Sequence, residues 1–325
     1  MFAGVLNGRL VAAGGSQFSD KPLWLKGEKA FSDRIFLLAT PEGKWTVHAT
    51  RLPAQVGGAA GAMTADAIYV AGGLNAAGCL RQVWEMRAKG DGFAFASLPD
   101  LPHAIGYGAA AIVGRRFYVV GGLDSPASKT PSGKVWSLDL DAERASVAWR
   151  REPDLPGPGV FVGAAASDGK NLYVFGGIGF DAEGKAIPAK GAFRLSAGES
   201  KWTRLADLPE ARVGISTPCP VIPGNKIFLI GGYADVFPGA PREHPGFSAQ
   251  TLYFDIAGQR WEKGPVLPVT PVADRDSSGD MGPAPMIGAP CVVWQDHVVV
   301  IGGEVRSSVR TPAVLAWPLG RNATP

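Results

Sequence analysis

Residues 172–177 read LYVFGG, a four-residue apolar run closed by two glycines. The run is too short for a buried helix, and the glycine pair stops it, so it reads as a strand covered on both faces. The same phrase returns as LVAAGG from Leu10, IYVAGG from Ile68, FYVVGG from Phe117, IFLIGG from Ile227 and VVVIGG from Val298. Around residues 172–177 the neighbouring text is GAAASDGKN before the run, then a variable loop, AFRLS, KWTRL and Leu208-Pro209. These flanking marks recur in phase. Third strands read RIFLLA, KVWSLDL and TLYFDI, and tryptophan strands read KWTVHAT, VAWRR and RWEK. Units close on Leu52-Pro53, Leu98-Pro99, Leu155-Pro156 and Leu267-Pro268.

Four strands repeated in six units predict an all-β chain forming a six-bladed β-propeller. A single twisted four-stranded sheet cannot bury both its faces, so the units must stack around an axis. The glycine pairs recur at intervals of roughly 50 to 70 residues, near the spacing of kelch-type repeats. One domain spanning residues 1–325 is expected, with blades at about 2–53, 54–99, 100–156, 157–209, 210–268 and 269–325. The glycine pair falls where a side chain would collide with the next blade or need an unfavourable φ. Trp45, Trp149, Trp202 and Trp261 are expected as plates between blades, as are Trp84, Trp136 and Trp317 of the third strands. The sixth unit ends on GRNATP after its third strand, without a tryptophan strand. It is expected to lack its outer strand, with the natural chain beginning upstream and supplying the closing one. A leader there would make the protein periplasmic or secreted; without one it would be cytoplasmic.

Composition narrows the function classes. A net charge of +3, with both signs interspersed, gives no footprint for nucleic acid. No window reaches the ~20 apolar residues of a membrane helix. Cys79, Cys219 and Cys291 are too few and too scattered for a disulfide framework or a zinc cluster. The four histidines lack partners at ligand spacing, and Asp274, Asp276 and Asp280 lack the glycine and glutamate of a calcium loop. No phosphate-cradling loop or nucleophile elbow is present, and no cofactor is implied.

Turns between first and second strands, and between third and fourth, are tight. The loops after the glycine pairs and the crossings between blades are long, and they collect on the other face, where function tends to sit. On that face GEVRSSVRTPAV (303–314) places Glu304 directly after a glycine pair and Arg310 at the start of the return strand. The two charges form either an ion pair that fixes the loop, or a carboxylate for proton transfer beside a guanidinium that grips an anion. Arg306 is expected solvated at the loop tip. Gln17, Lys29, Tyr233, Asp235 and His244 are candidate company in the substrate site. Arg212 is a candidate second anion contact.

GEVRSSVRTPAV resembles the Gly-Glu…Arg-Thr…Ala-Val element of the sialic acid mutarotases, or N-acetylneuraminate epimerases. In that family the element lies mid-chain and precedes a blade opening Phe-Ala-Gly, whereas here Phe2-Ala3-Gly4 opens the chain. The sequence is therefore similar to a cyclically permuted member. AGGSQFSDKPLWLKGEKAFSDRIFLL and HPGFSAQTLYFDI resemble further family elements. It departs from the family at Gln17, where asparagine is usual, and at Ser307-Ser308, where Pro-Gly is usual. The resemblance implies that Glu304 and Arg310 are catalytic or substrate-binding, and that the ligand is a small acidic sugar. The alternative is a non-enzymatic propeller binding a protein or glycan through its loop face. The copper radical oxidases built on this scaffold need a His/Tyr/Cys metal set that is not found here.

Overall fold

In the computed structural model, the residues described are 1–18, 21, 25–143, 145–239, 243–269, 284–306 and 308–319. The repeat at LYVFGG builds an antiparallel sheet of Ala164–Ser167, Asn171–Phe175, Ala192–Ser196 and Thr203–Arg204, in chain order. Asn171–Phe175 is central in this sheet, and its residues from Leu172 on are buried, as an apolar run without alternation requires. Four more sheets have four strands in this order or its reverse, and the sixth has three: Cys291–Trp294, His297–Ile301 and Val314–Pro318. The result is a six-bladed propeller, and among the described residues the last blade lacks an outer strand, as its sequence indicates.

First strands are innermost. Phe2–Leu6 touches both Ala60–Met63 and Cys291–Trp294, and Ala109–Val113 touches both Ala60–Met63 and Ala164–Ser167. Crowding near the axis explains their small residues, such as Ala109, Ala110 and Ala111, all buried. Blade 6 meets blade 1 through Val292, Trp294, Val299 and Ile301 packed on Ala3, Leu10 and Ala12. The Trp294 indole also donates to Gly8 O at 2.7 Å across this junction.

The glycine pairs act as latches between blades. A Cβ on Gly72 would lie 2.3 Å from Ile105 O, one on Gly121 2.3 Å from Val160 O, and one on Gly176 2.1 Å from Arg212 O. Each of those carbonyls belongs to the crossing into the next blade. The second glycine donates its N–H to the same oxygen, from Gly73 at 2.7 Å, Gly122 at 2.9 Å and Gly177 at 2.8 Å. The first glycine thus makes room for the carbonyl and the second binds it. Tryptophans of the outer strands work from the rim: Trp149 donates to Pro99 O at 2.8 Å, Trp202 to Pro153 O at 2.9 Å and Trp261 to Ala206 O at 2.8 Å.

A string of backbone hydrogen bonds runs around the axis from blade 2 to blade 6. Gly58, Tyr107, Val162, Gly214 and Gly288 occupy equivalent crossing positions, all with φ between +47° and +72°. Each N–H donates to the preceding member's carbonyl: Tyr107 to Gly58 at 2.8 Å, Val162 to Tyr107 at 3.0 Å, Gly214 to Val162 at 2.9 Å and Gly288 to Gly214 at 2.9 Å. Left-handed backbone costs a non-glycine residue about 1–2 kcal/mol, so Tyr107 and Val162 stand out in this string.

Candidate functional site

Immediately after the six glycine pairs come Ser16, Leu74, Leu123, Ile178, Tyr233 and Glu304. Five of the six form an isolated antiparallel bridge to the crossing of their own blade: Leu74 to Gly57, Leu123 to Gly106, Ile178 to Phe161, Tyr233 to Val213 and Glu304 to Ile287. These side chains therefore sit at matching depth around the mouth of the ring. Leu74, Leu123 and Ile178 are buried and make one half apolar; Ser16, Tyr233 and Glu304 make the other half polar and partly open.

Glu304 lies on a short hairpin, Glu304–Arg306 with Val309–Arg310, in which Glu304 and Arg310 are direct cross-strand partners. Opposed positions on neighbouring strands bring side chains together, and the Glu304 carboxylate contacts the Arg310 guanidinium. The same oxygen, Oε1, accepts the Ser308 N–H at 3.1 Å. Their side chains are 21% and 29% exposed, so the pair is sheltered yet reachable. Among the described residues, the buried Nε of Arg310 has no hydrogen-bond partner.

Tyr233 lies within electrostatic reach of this pair. Burial, and then the Glu304 charge, push its phenol up to about 12, so it remains a protonated donor at neutral pH. Its ring stacks on Phe247 at 5.7 Å, and Phe247 meets the edge of His244 at 4.9 Å. His244 is buried and its Nδ1 accepts the Gly246 N–H at 3.0 Å. Burial first, then Arg306, lowers its pKa and keeps the ring neutral. Arg306 is itself buried, contrary to the solvated tip expected from sequence: it ends the strand Glu304–Arg306, whose last two residues are both buried.

Lys29 enters from blade 1 on the hairpin Ser16–Phe18 with Lys29–Phe31. Its Nζ donates to Tyr107 Oη at 2.9 Å. Met1 connects this side to blade 6: a Cβ on Gly15 would lie 3.2 Å from Met1 Cβ, and one on Gly302 3.1 Å from its Cε.

The other candidates lie elsewhere. Arg212 is buried between blades 4 and 5, where Nη1 donates to Gly231 O at 2.9 Å and Nη2 to Glu210 at 2.5 Å. Gln17 is exposed on the hairpin that carries Lys29, and Asp235 is exposed on its loop. Ser307, and the acidic residues Asp274, Asp276 and Asp280, are outside the described residues. Among those described, no three His, Cys, Asp or Glu side chains are grouped to hold a metal. Sequence reasoning missed Tyr107 because GYGAAAIV reads as an inner strand. The available signal was register: Tyr107 occupies the place that Gly58, Gly214 and Gly288 fill in other crossings.

Two cavities lie away from the mouth. One, about 500 Å³, is on blade 4 beside Pro158, Phe180, Phe193 and Trp202, without a carboxylate. The other, about 490 Å³, is at the tight turns near Gly8 and Ala65 and contains Asp66 and Arg87. Those two are in contact, but at 67% and 43% exposed they form a solvated surface pair, of small energetic weight. At the mouth, by contrast, the Glu304–Arg310 pair is more sheltered than this one.

The sequence model of the N-acetylneuraminate epimerase family matches residues 98–325, well over half of the chain. The protein belongs to that family. An N-acetylneuraminate epimerase of Yersinia enterocolitica (serotype O:8 / biotype 1B) is 29% identical over 235 residues, covering 66% of this chain and 56% of the relative. The enzyme of that name from Haemophilus influenzae (strain 86-028NP) is 30% identical over 244 residues, covering 66% and 57%. The chain thus matches a little over half the length of these epimerases. A solved structure of YjhT superposes with a TM-score of 0.69 over 99% of this chain and 95% of that one. Its sequence is 15% identical, so the likeness bears on the fold.

Proposed function

We propose that this protein is a sugar mutarotase that interconverts the anomers of N-acetylneuraminate or a close acidic relative. One observation carries the reading: Glu304 and Arg310 touch each other, sheltered but reachable, at the mouth of the ring, in a chain of the N-acetylneuraminate epimerase family. Mutarotation of a cyclic hemiketal asks for little beyond proton carriers. The Glu304 carboxylate takes the proton of the anomeric hydroxyl, the bond from the anomeric carbon to the ring oxygen breaks, and Glu304 hands the same proton to that oxygen, returning to a carboxylate. The product is an open-chain keto acid. Rotation about the adjacent bond and closure on the opposite face reverse these transfers and give the other anomer, with no net change in atoms or charge. Arg310 holds the sugar carboxylate, and Tyr233, kept as a neutral phenol, offers a hydrogen bond to the ring oxygen. The cycle requires no cofactor.

A match to the family that begins at residue 98 fits the rotated blade order inferred from Phe2-Ala3-Gly4, since a collinear comparison follows only one side of a permutation. The test is anomer exchange of N-acetylneuraminate followed by NMR. One positioned acid–base group contributes about 10²–10⁴-fold, so Glu304→Gln should lose that factor while still binding the sugar. A variant as fast as wild type removes Glu304 from the chemistry. A wild-type protein that binds the sugar without accelerating exchange is a binding propeller instead.

A further inference from the structure

Lys29 is the cation at the mouth that no described carboxylate neutralises. Arg310 is already in contact with Glu304, and Arg212 with Glu210. Among the described residues, Lys29 Nζ has instead a phenol oxygen at 2.9 Å and two aromatic faces, Phe31 at 5.4 Å and Tyr107 at 5.5 Å. Glu304 and Arg310 offset each other, so the Lys29 charge is free to meet an anion.

The device that holds Lys29 spans three blades. Tyr107 comes from the crossing into blade 3 with φ +59°, a conformation in which a non-glycine residue is strained. Its equivalents in three other crossings are glycines. The strained position sends its ring across blade 2, over Gly58, where an added Cβ would lie 2.8 Å from Tyr107 Cδ1 and 2.9 Å from Leu74 Cδ2. Bare Gly58 therefore leaves the space the phenol needs to reach Lys29 in blade 1. Strain of this kind persists where surrounding structure enforces it, and it marks sites with a task. A phenol oxygen and two ring faces orient an ammonium without cancelling its charge. An ion pair would cancel it. The hairpins that carry Lys29 and Arg310 are also neighbours, since Met1 packs against both Gly15, just before the first hairpin, and Gly302, just before the second.

We propose that Lys29, positioned by Tyr107, shares the ligand's carboxylate with Arg310 and makes the mouth selective for monoanionic sugar acids over their neutral analogues. The proposal rests on the mutarotase reading for the identity of the ligand but not for the chemistry. Tyr107 is a positioning residue and Lys29 a substrate-binding one.

The experiment measures affinity for N-acetylneuraminate and for its uncharged methyl ester, by calorimetry or ligand-observed NMR, alongside exchange kinetics. Wild type should prefer the acid. Lys29→Met keeps the aliphatic stem and removes the charge. A charge-assisted hydrogen bond of ordinary strength corresponds to about a 10–100-fold loss of affinity for the acid, with the ester nearly unaffected. In exchange kinetics that loss should fall on KM rather than kcat. Tyr107→Phe keeps ring and backbone and should weaken acid binding by roughly 3–10-fold, and Lys29→Arg should restore part of the acid preference. Thermal melts of all variants should lie close to wild type. A Lys29→Met protein that retains the wild-type ratio of acid to ester affinity overturns the proposal, as does a wild type that binds no acid or prefers none. A wild type that prefers the acid, loses the preference in Lys29→Met, yet never accelerates exchange overturns the reaction and leaves Lys29 in place.

Discussion

Alanine at Gly231 and at Gly8 separates two costs that glycine avoids. The backbones are alike, with φ +75° at Gly231 and +72° at Gly8, so the conformational penalty of an added Cβ is the same, about 1–2 kcal/mol. Their surroundings differ. A Cβ on Gly8 meets nothing within 4 Å, whereas one on Gly231 would lie 2.0 Å from Met286 O and 3.2 Å from its carbon. That oxygen is backbone of the crossing into blade 6, so relief requires blades 5 and 6 to part by more than 1 Å along a packed interface. Misfits of this size belong among the largest single-residue effects, about 4 kcal/mol or more. At about 2.1 cal/mol/K per residue, a chain of 325 residues loses about 1.5 °C per kcal/mol. Gly8→Ala should therefore melt about 2–3 °C below wild type, and Gly231→Ala more than 5 °C below, followed by circular dichroism and by urea titration. Gly231 also precedes Gly232 and Tyr233, so its variant should disturb the mouth, while Gly8→Ala leaves ligand binding intact. Equal losses in the two variants would refute the idea that the glycine pair exists to admit a neighbouring carbonyl.

Other consequences can be measured separately. In Glu304→Gln, the Tyr233 phenol should titrate below the value near 12 it has beside the carboxylate, yet above an ordinary tyrosine, because burial is the larger cause; phenolate absorbance reads this. The fold lowers the pKa of His244, so the folded protein binds fewer protons there than the unfolded chain. Stability from this group is full above the unfolded value of about 6.5 and declines as pH falls below it. His244→Gln should flatten that decline in urea midpoints taken at about pH 7.5 and 5.5; unchanged slopes would exclude it. Trp149→Phe removes the donor to Pro99 O and should cost about 1 kcal/mol in urea, with little effect on ligand affinity.

The blades were legible because their marks are local. An apolar run, a glycine pair and a tryptophan strand each report their position without knowledge of the rest, and their repetition in phase fixed the number of blades. The Glu304–Arg310 pair was legible for a similar reason, since a short hairpin brings both ends together. What required coordinates was contact across blades. Arg212, at the entrance of a crossing, reads as a cation turned toward the axis, but its guanidinium is buried against Gly231 and Glu210. Arg306 reads as a loop tip because charge is normally solvated, yet it packs near His244. Tyr107 reaches Lys29 from 78 positions away in the chain, over a glycine in a third blade. No periodicity encodes such a meeting, since it depends on the radius at which inner strands close.

The string of amides from Gly58 to Gly288 has a further effect. Each interior peptide in it is tied on both sides, so blades 3, 4 and 5 cannot tilt without dragging their neighbours. Side chains after the glycine pairs can then change charge and size while the opening keeps its width. A substitution at Val162, within the string, should therefore be felt at Glu304, which pairs with Ile287 next to Gly288.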